Sequence, residues 1–251
     1  MISPVPQSKA HEAFQQLVRL RADGGEMDPF TRARFEKAAN ESVVVDPVSA
    51  YQVLGILAAI QWDADKVREF FKLAIDAGGG APVVANYGRA LRDMNFLDEA
   101  ADYVEQAAES EPERLTFLKE AISSRLCSGN WDRALKLIDT LSKRVPALDD
   151  DHIRAIHLIE LARSIGLRDE TVHRSIAVAV DLLREEKIFL VGVADDIDDI
   201  SDDSAVYYDL YVSTSHERAQ ELDDMLTPRL FEKVEDLQLN VFGLQIKAIP
   251  Q

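Results

Sequence analysis

The stretch NYGRALRDMNFLDEAADYVEQAAESEP, Asn86 to Pro112, places small residues at Gly88, Ala100 and Ala107 and closes on Pro112. It holds no nucleophile beside a base, no cluster of metal-ligand types and no glycine-rich phosphate loop. Similar residues recur at a fixed distance on either side. Gly55 precedes Gly88 by 33 residues and Ala74 precedes Ala107 by 33, while Ala134 follows Ala100 by 34 and Pro146 follows Pro112 by 34. Two independent pairs at each spacing define a repeat, and a period of this size marks stacked supersecondary units. Each unit reads as helix, short polar turn, helix. The turns fall at Gln61–Asp65, Asn95–Asp98 and Ser128–Asp132, each with an acidic residue to cap the next helix. Small residues let the paired helices approach closely, and the proline stops the second one.

The first unit has Tyr51, Leu54, Gly55, Ala58, Phe71 and Ala74, with Gly79 in place of a terminal proline. The second has Tyr87, Gly88, Leu91, Ala100, Val104, Ala107 and Pro112. The third keeps Leu118, Ala121, Ala134, Leu141 and Pro146, with Ile122 in place of the glycine. On these residues the segment from Val48 to Leu148 resembles a tetratricopeptide repeat array. The resemblance implies a helical-hairpin solenoid with a concave face lined by the first helix of each unit. It carries that face onto Ser49, Gln52, Ile56 and Ala59, then Ala85, Asn86, Arg89 and Arg92, then Thr116, Lys119, Glu120 and Ser123. Some members of the family clamp the C-terminal carboxylate of chaperone peptides with lysine and asparagine. Asn86 fits such a clamp, whereas Ile56, Thr116 and Glu120 stand where amide or basic groups are wanted. What remains is a basic strip, Arg89, Arg92 and Lys119, beside an apolar end at Ile56 and Ala59. The expected peptide-binding residues are therefore Gln52, Ile56, Asn86, Arg89, Arg92 and Lys119, and the strip suits a segment with an acidic residue next to an apolar anchor.

The flanks are helical but off the pattern. Lys9–Arg21 and Pro29–Ala39 form a pair before the array; Asp151–Ile165 and Asp169–Lys187 form a cap behind it, with Ile153, Ile156 and Ile159 near helical spacing. After Lys187 the period changes. Ile188–Ala194 is a continuous apolar run suited to a buried strand, and Val206, Tyr208, Leu210 and Val212 alternate with polar and aromatic residues. Thr214 and Glu217 form a capping box for a helix that Pro228 should kink or shorten. LNVFGLQIKAI is a last strand whose apolar phase slips near Gly243, suggesting a bulge there. A right-handed crossover makes the last two strands parallel. The expected fold is mainly α: a helical pair (1–47), three repeats (48–148), a helical cap (149–187) and a small acidic α+β domain of β-β-α-β order (188–251) that leans on the helices.

The net charge is −17, and from Ile188 onward fourteen Asp and Glu face four Lys and Arg. That balance argues against nucleic-acid or anionic-membrane partners. The single cysteine, Cys127, fits a reducing compartment, and neither a signal peptide nor a membrane-length apolar run is visible, so a soluble cytoplasmic protein is expected. The run Asp195–Ser204, with Asp195, Asp196, Asp198, Asp199, Asp202 and Asp203, lacks the glycine and glutamate of a calcium loop and reads as a solvated or partner-facing acidic loop. The histidines are scattered, and Cys127 has no visible base. No metal, cofactor or catalytic residue is expected. The expected function is a non-enzymatic adaptor binding a protein or peptide in the concave groove; the alternative is an acidic inhibitor, antitoxin or immunity-type protein neutralising a basic partner through the acidic loop.

Overall fold

The computed structural model describes residues 8–22, 27–198 and 205–249. Among the described residues the chain is mainly helical, with eleven helices and one three-stranded sheet. Ten helices come first: α1 (Lys9–Ala22), α2 (Pro29–Ser42), α3 (Pro47–Ile60), α4 (Ala64–Asp76), α5 (Ala81–Asp93), α6 (Leu97–Ser110), α7 (Leu115–Cys127), α8 (Trp131–Ser142), α9 (Asp150–Ser164) and α10 (Asp169–Glu185). Then follow β1 (Leu190–Asp198), β2 (Ala205–Val212), α11 (His216–Lys233) and β3 (Phe242–Ala248). The chain divides into two compact units, residues 1–91 and 92–251. Their boundary falls inside α5, so they do not coincide with the segments 48–148 and 188–251 read from the sequence.

The 33- and 34-residue spacing read from the sequence recurs in the helix starts. Helices α3, α5 and α7 begin 34 residues apart, and α4, α6 and α8 begin 33 and then 34 apart. The turns that lead from α3 to α4, from α5 to α6 and from α7 to α8 use the same backbone device. Trp62, Asn95 and Gly129 occupy equivalent places and all have positive φ, at 58°, 62° and 72°. Only glycine adopts that region without strain; asparagine tolerates it and tryptophan pays for it. One residue further on, the amides of Asp63 and Asn130 close back onto the carbonyls of Ala58 and Arg125, a six-to-one closure of the helix end. The caps differ from the acidic set expected. Asp63 caps α4 by accepting from the Lys66 amide, but α8 is capped by Asn130 rather than Asp132, and α6 has Phe96 at its N-cap position, with no side-chain cap.

In the first unit α1 packs against α2 and α3, and α3 packs along α4. The close approach of α3 and α4 depends on Gly55. A Cβ there would lie 2.7 Å from two carbons of the Phe71 ring. Phe71 is itself fully buried and stacked on Tyr87, with centroids 5.1 Å apart. Alanine in place of glycine stabilises an unhindered helix interior by about 1 kcal/mol. Gly55→Ala is nevertheless expected to lower stability, by about 1–3 kcal/mol, because the ring has nowhere to go. A melting temperature above that of the wild type would contradict this packing.

In the second unit α6, α7 and α8 pack in succession, α8 meets α9, and α9 meets β2. The sheet has the order β1-β2-β3, with β1 antiparallel and β3 parallel to β2, as the β-β-α-β reading requires. The register shift lies between Leu190 and Gly192 in β1; the β2–β3 register is unbroken past Gly243, so the expected bulge is misplaced. The apolar slip at Gly243 has another cause, since Gly243 makes room for the ring of Tyr207. Helix α11 is capped by Ser215, not Thr214, and runs through Pro228. The buried face of α9 consists of His152, Ala155, Leu158, Ile159 and Ala162, while Ile153 is exposed.

The sheet and the helices of this unit share their cores. Val206, Tyr208 and Phe242 pack with Trp131, Leu158, Ile159, Val172 and Ile176. Leu210, Val212 and Ile246 pack with Val178, Leu182, Leu222 and Leu226 of α10 and α11. Three hydrogen bonds fix the placement. The Trp131 indole donates to the Tyr208 hydroxyl at 2.9 Å, and fully buried Asn95 donates to the Ile188 carbonyl at 2.8 Å while accepting from the Leu190 amide at 3.1 Å. The C-terminal segment is thus built into the second unit.

Candidate functional site

The second unit contains a cavity of about 390 Å³ between α7, α9 and the sheet. Its apolar walls are Ile122 and Leu126 of α7, Ala155 and Leu158 of α9, Val193 of β1 and the ring of Tyr208 on β2. Polar groups stand around them: Lys119, Ser123, Cys127, Asp149, Asp151, His152 and Arg154. Lys119 and Ser123 follow from helical geometry, since residues three and four apart on α7 share the face that carries Ile122 and Leu126. An apolar hollow with a few convergent polar groups is the usual form of a binding site.

Asp149 organises one end. It is the N-cap of α9, accepting from the His152 amide at 3.2 Å, and it also contacts the His152 ring. Its other oxygen accepts from the Lys119 ammonium at 2.8 Å. The Lys119 hydrogen bond, with the His152 contacts, outweighs partial burial and holds the Asp149 carboxyl down to about 2. Because this value lies below the ordinary aspartate range, the stabilisation is complete above about pH 4 and disappears as the pH falls through the folded value. The Asp149 titration followed by NMR is expected to rise in Lys119→Ala; an unchanged midpoint would show that the pair does not form.

The residues expected to line a groove are distributed differently. Ser49, Gln52, Ile56, Ala59 and Ala85 are all buried, so the apolar end expected at Ile56 offers no open surface. Gln52, Asn86 and Arg89 do come together in the first unit. Asn86 donates to Gln52 at 2.8 Å and accepts from Arg89 at 2.7 Å, tying α3 to α5. Arg92 is partly exposed in the second unit. Lys119 lines the cavity with its charge engaged by Asp149, rather than standing in a bare basic strip. Of the acidic loop, Asp195, Asp196 and Asp198 belong to strand β1, and Asp199, Asp202 and Asp203 lie outside the described residues.

A second polar cluster escaped the sequence reading. Glu105 of α6 is 4% exposed and accepts from Arg125 of α7 at 2.9 and 3.2 Å and from Arg133 of α8. Arg125 also donates to Asp102 at 2.6 Å. Burial opposes ionisation of Glu105, but the hydrogen bonds from Arg133 and Arg125 prevail and hold its carboxyl below the usual range. Its signal in the sequence is the spacing of Asp102, Glu105 and Glu109, which places three carboxylates on one helical face.

Charge divides sharply between the units. Residues 92–251 hold 34 Asp and Glu against 18 Lys and Arg, whereas residues 1–91 hold 11 against 10. Among the described residues no group of three or more His, Cys, Asp or Glu is placed to hold a metal ion, and no helix is long and apolar enough to cross a membrane. Comparison with family models, with curated proteins and with solved structures finds no match to this chain.

Proposed function

We infer that the chain is a non-enzymatic protein-interaction module of tetratricopeptide-like helical hairpins, and that its docking site is the cavity between α7, α9 and the sheet. The carrying observation is that this hollow combines apolar walls with charged groups around them. The 33- and 34-residue spacing of the helix starts, with a positive-φ residue at the same place in each hairpin turn, supports the repeat reading. An apolar side chain of a partner would fill the hollow, and rim groups would fix its flanking residues. An adaptor in the cytoplasm and an inhibitor that blocks a basic partner are two uses of such a surface. The charge of the second unit favours a basic partner, because an acidic one would have to displace Asp149 from Lys119 and approach a net negative body.

The test is selection of peptides from a display library against the intact chain, followed by titration against Ser123→Trp, which places a large ring at the exposed mouth of the cavity. Selected peptides are expected to lose at least about tenfold in affinity, or about 1.4 kcal/mol, with the melting temperature unchanged. Undiminished binding would remove the cavity from consideration.

A further inference from the structure

Strand β1 lies at one edge of the sheet, and the two edges are finished differently. At the β3 edge, Asp223 of α11 accepts from the Ile246 amide at 2.8 Å and α11 packs along the strand. At the β1 edge, Asn95 bonds Ile188, just ahead of the strand, and Leu190, its first residue. From Val191 to Asp198 the strand pairs with β2 alone among the described residues. An edge of this length presents backbone donors and acceptors to any extended chain beside it. Val193 of this strand is also part of the cavity wall.

We propose that the partner is an extended segment of another protein, with apolar residues alternating with lysine or arginine, which adds as a fourth strand to the edge of β1 and inserts an apolar side chain into the α7–α9 cavity. This rests on the reading of the cavity as a docking site and specifies its occupant. An added strand runs about 4.8 Å from β1, and its alternate side chains face the cavity walls. The basic residues follow from charge. At the cavity Asp149 and Asp151 are matched by Lys119 and Arg154, but three of the nine residues of β1 are aspartates (Asp195, Asp196 and Asp198) and the unit as a whole is strongly acidic.

The probes are synthetic octapeptides titrated into the intact chain: one alternating lysine and valine, one with glutamate for lysine, and one lysine–valine peptide N-methylated at alternate backbone amides. The first is expected to bind, with affinity falling as salt rises. The glutamate peptide and the methylated peptide are each expected to bind at least tenfold more weakly. Lys119→Ala, which releases Asp149, is expected to tighten the lysine–valine peptide severalfold. Equal binding of the methylated peptide would overturn strand addition while leaving the cavity reading intact. Preference for the glutamate peptide, or weaker lysine–valine binding to Lys119→Ala, would overturn the basic partner. Failure of all three peptides, with Ser123→Trp still blocking library-selected peptides, would overturn this occupant alone.

Discussion

Glu105→Ala is expected to destabilise the chain by about 3–5 kcal/mol, the cost of removing one member of a buried ion pair. The substitution leaves Arg125, itself only 8% exposed, with Asp102 as its one remaining carboxylate in the cluster. Arg133 matters less to the cost because its side chain reaches solvent. Replacing Glu105 and Arg125 together by apolar residues of similar volume is expected to cost far less, since the penalty belongs to the stranded charge. The network also sets an acid limit. The folded carboxyl titrates below its unfolded value, so its contribution is present above the ordinary glutamate range and is lost as pH falls through the lower folded value. Urea unfolding at neutral and acid pH checks both points: the wild type and Glu105→Ala should converge in acid. A single variant as stable as the double one would contradict the network.

Trp131→Ala is expected to cost a similar amount, about 3–5 kcal/mol for emptying a large buried site. Trp131 has no exposed surface, packs with Leu158, Ile159, Val172 and Ile176, and donates to Tyr208. Its loss opens a void between helices and sheet and removes the hydrogen bond to Tyr208. Trp131→Phe keeps most of the volume and should cost only the hydrogen bond and part of the packing. If Trp131→Ala left the stability of the chain unchanged, the sheet would not depend on the helical core as described.

The 33- and 34-residue spacing of small residues recurs in the helix starts, and Gly55, Ala74, Ala100 and Ala134 are buried. The alternation of Val206, Tyr208, Leu210 and Val212 likewise gave β2 and its buried face. The turns were legible in position but not in chemistry, because Trp62 in a positive-φ conformation has no signature in its own sequence. Asp149 was hidden among three consecutive aspartates, only one of which caps α9. The cavity was legible only in part. Lys119 and Ser123 line the cavity as the helical face predicts, but its opposite wall comes from α9 and from Val193 and Tyr208, and no local pattern brings residues so distant together. Ile56 is buried, and an apolar residue on a helix does not announce whether its neighbour is solvent or another helix; Gln52 is buried with its side chain accepting from Asn86.

The central claim is that the α7–α9–β1 cavity is the docking site. The most direct measurement is amide hydrogen exchange of the intact chain with and without a display-selected peptide at saturation. New protection is expected in Val191–Asp198, the edge strand, and in the cavity-lining turns of α7 and α9. Protection confined to residues 1–91, or none in β1, α7 and α9 under saturating peptide, would contradict it.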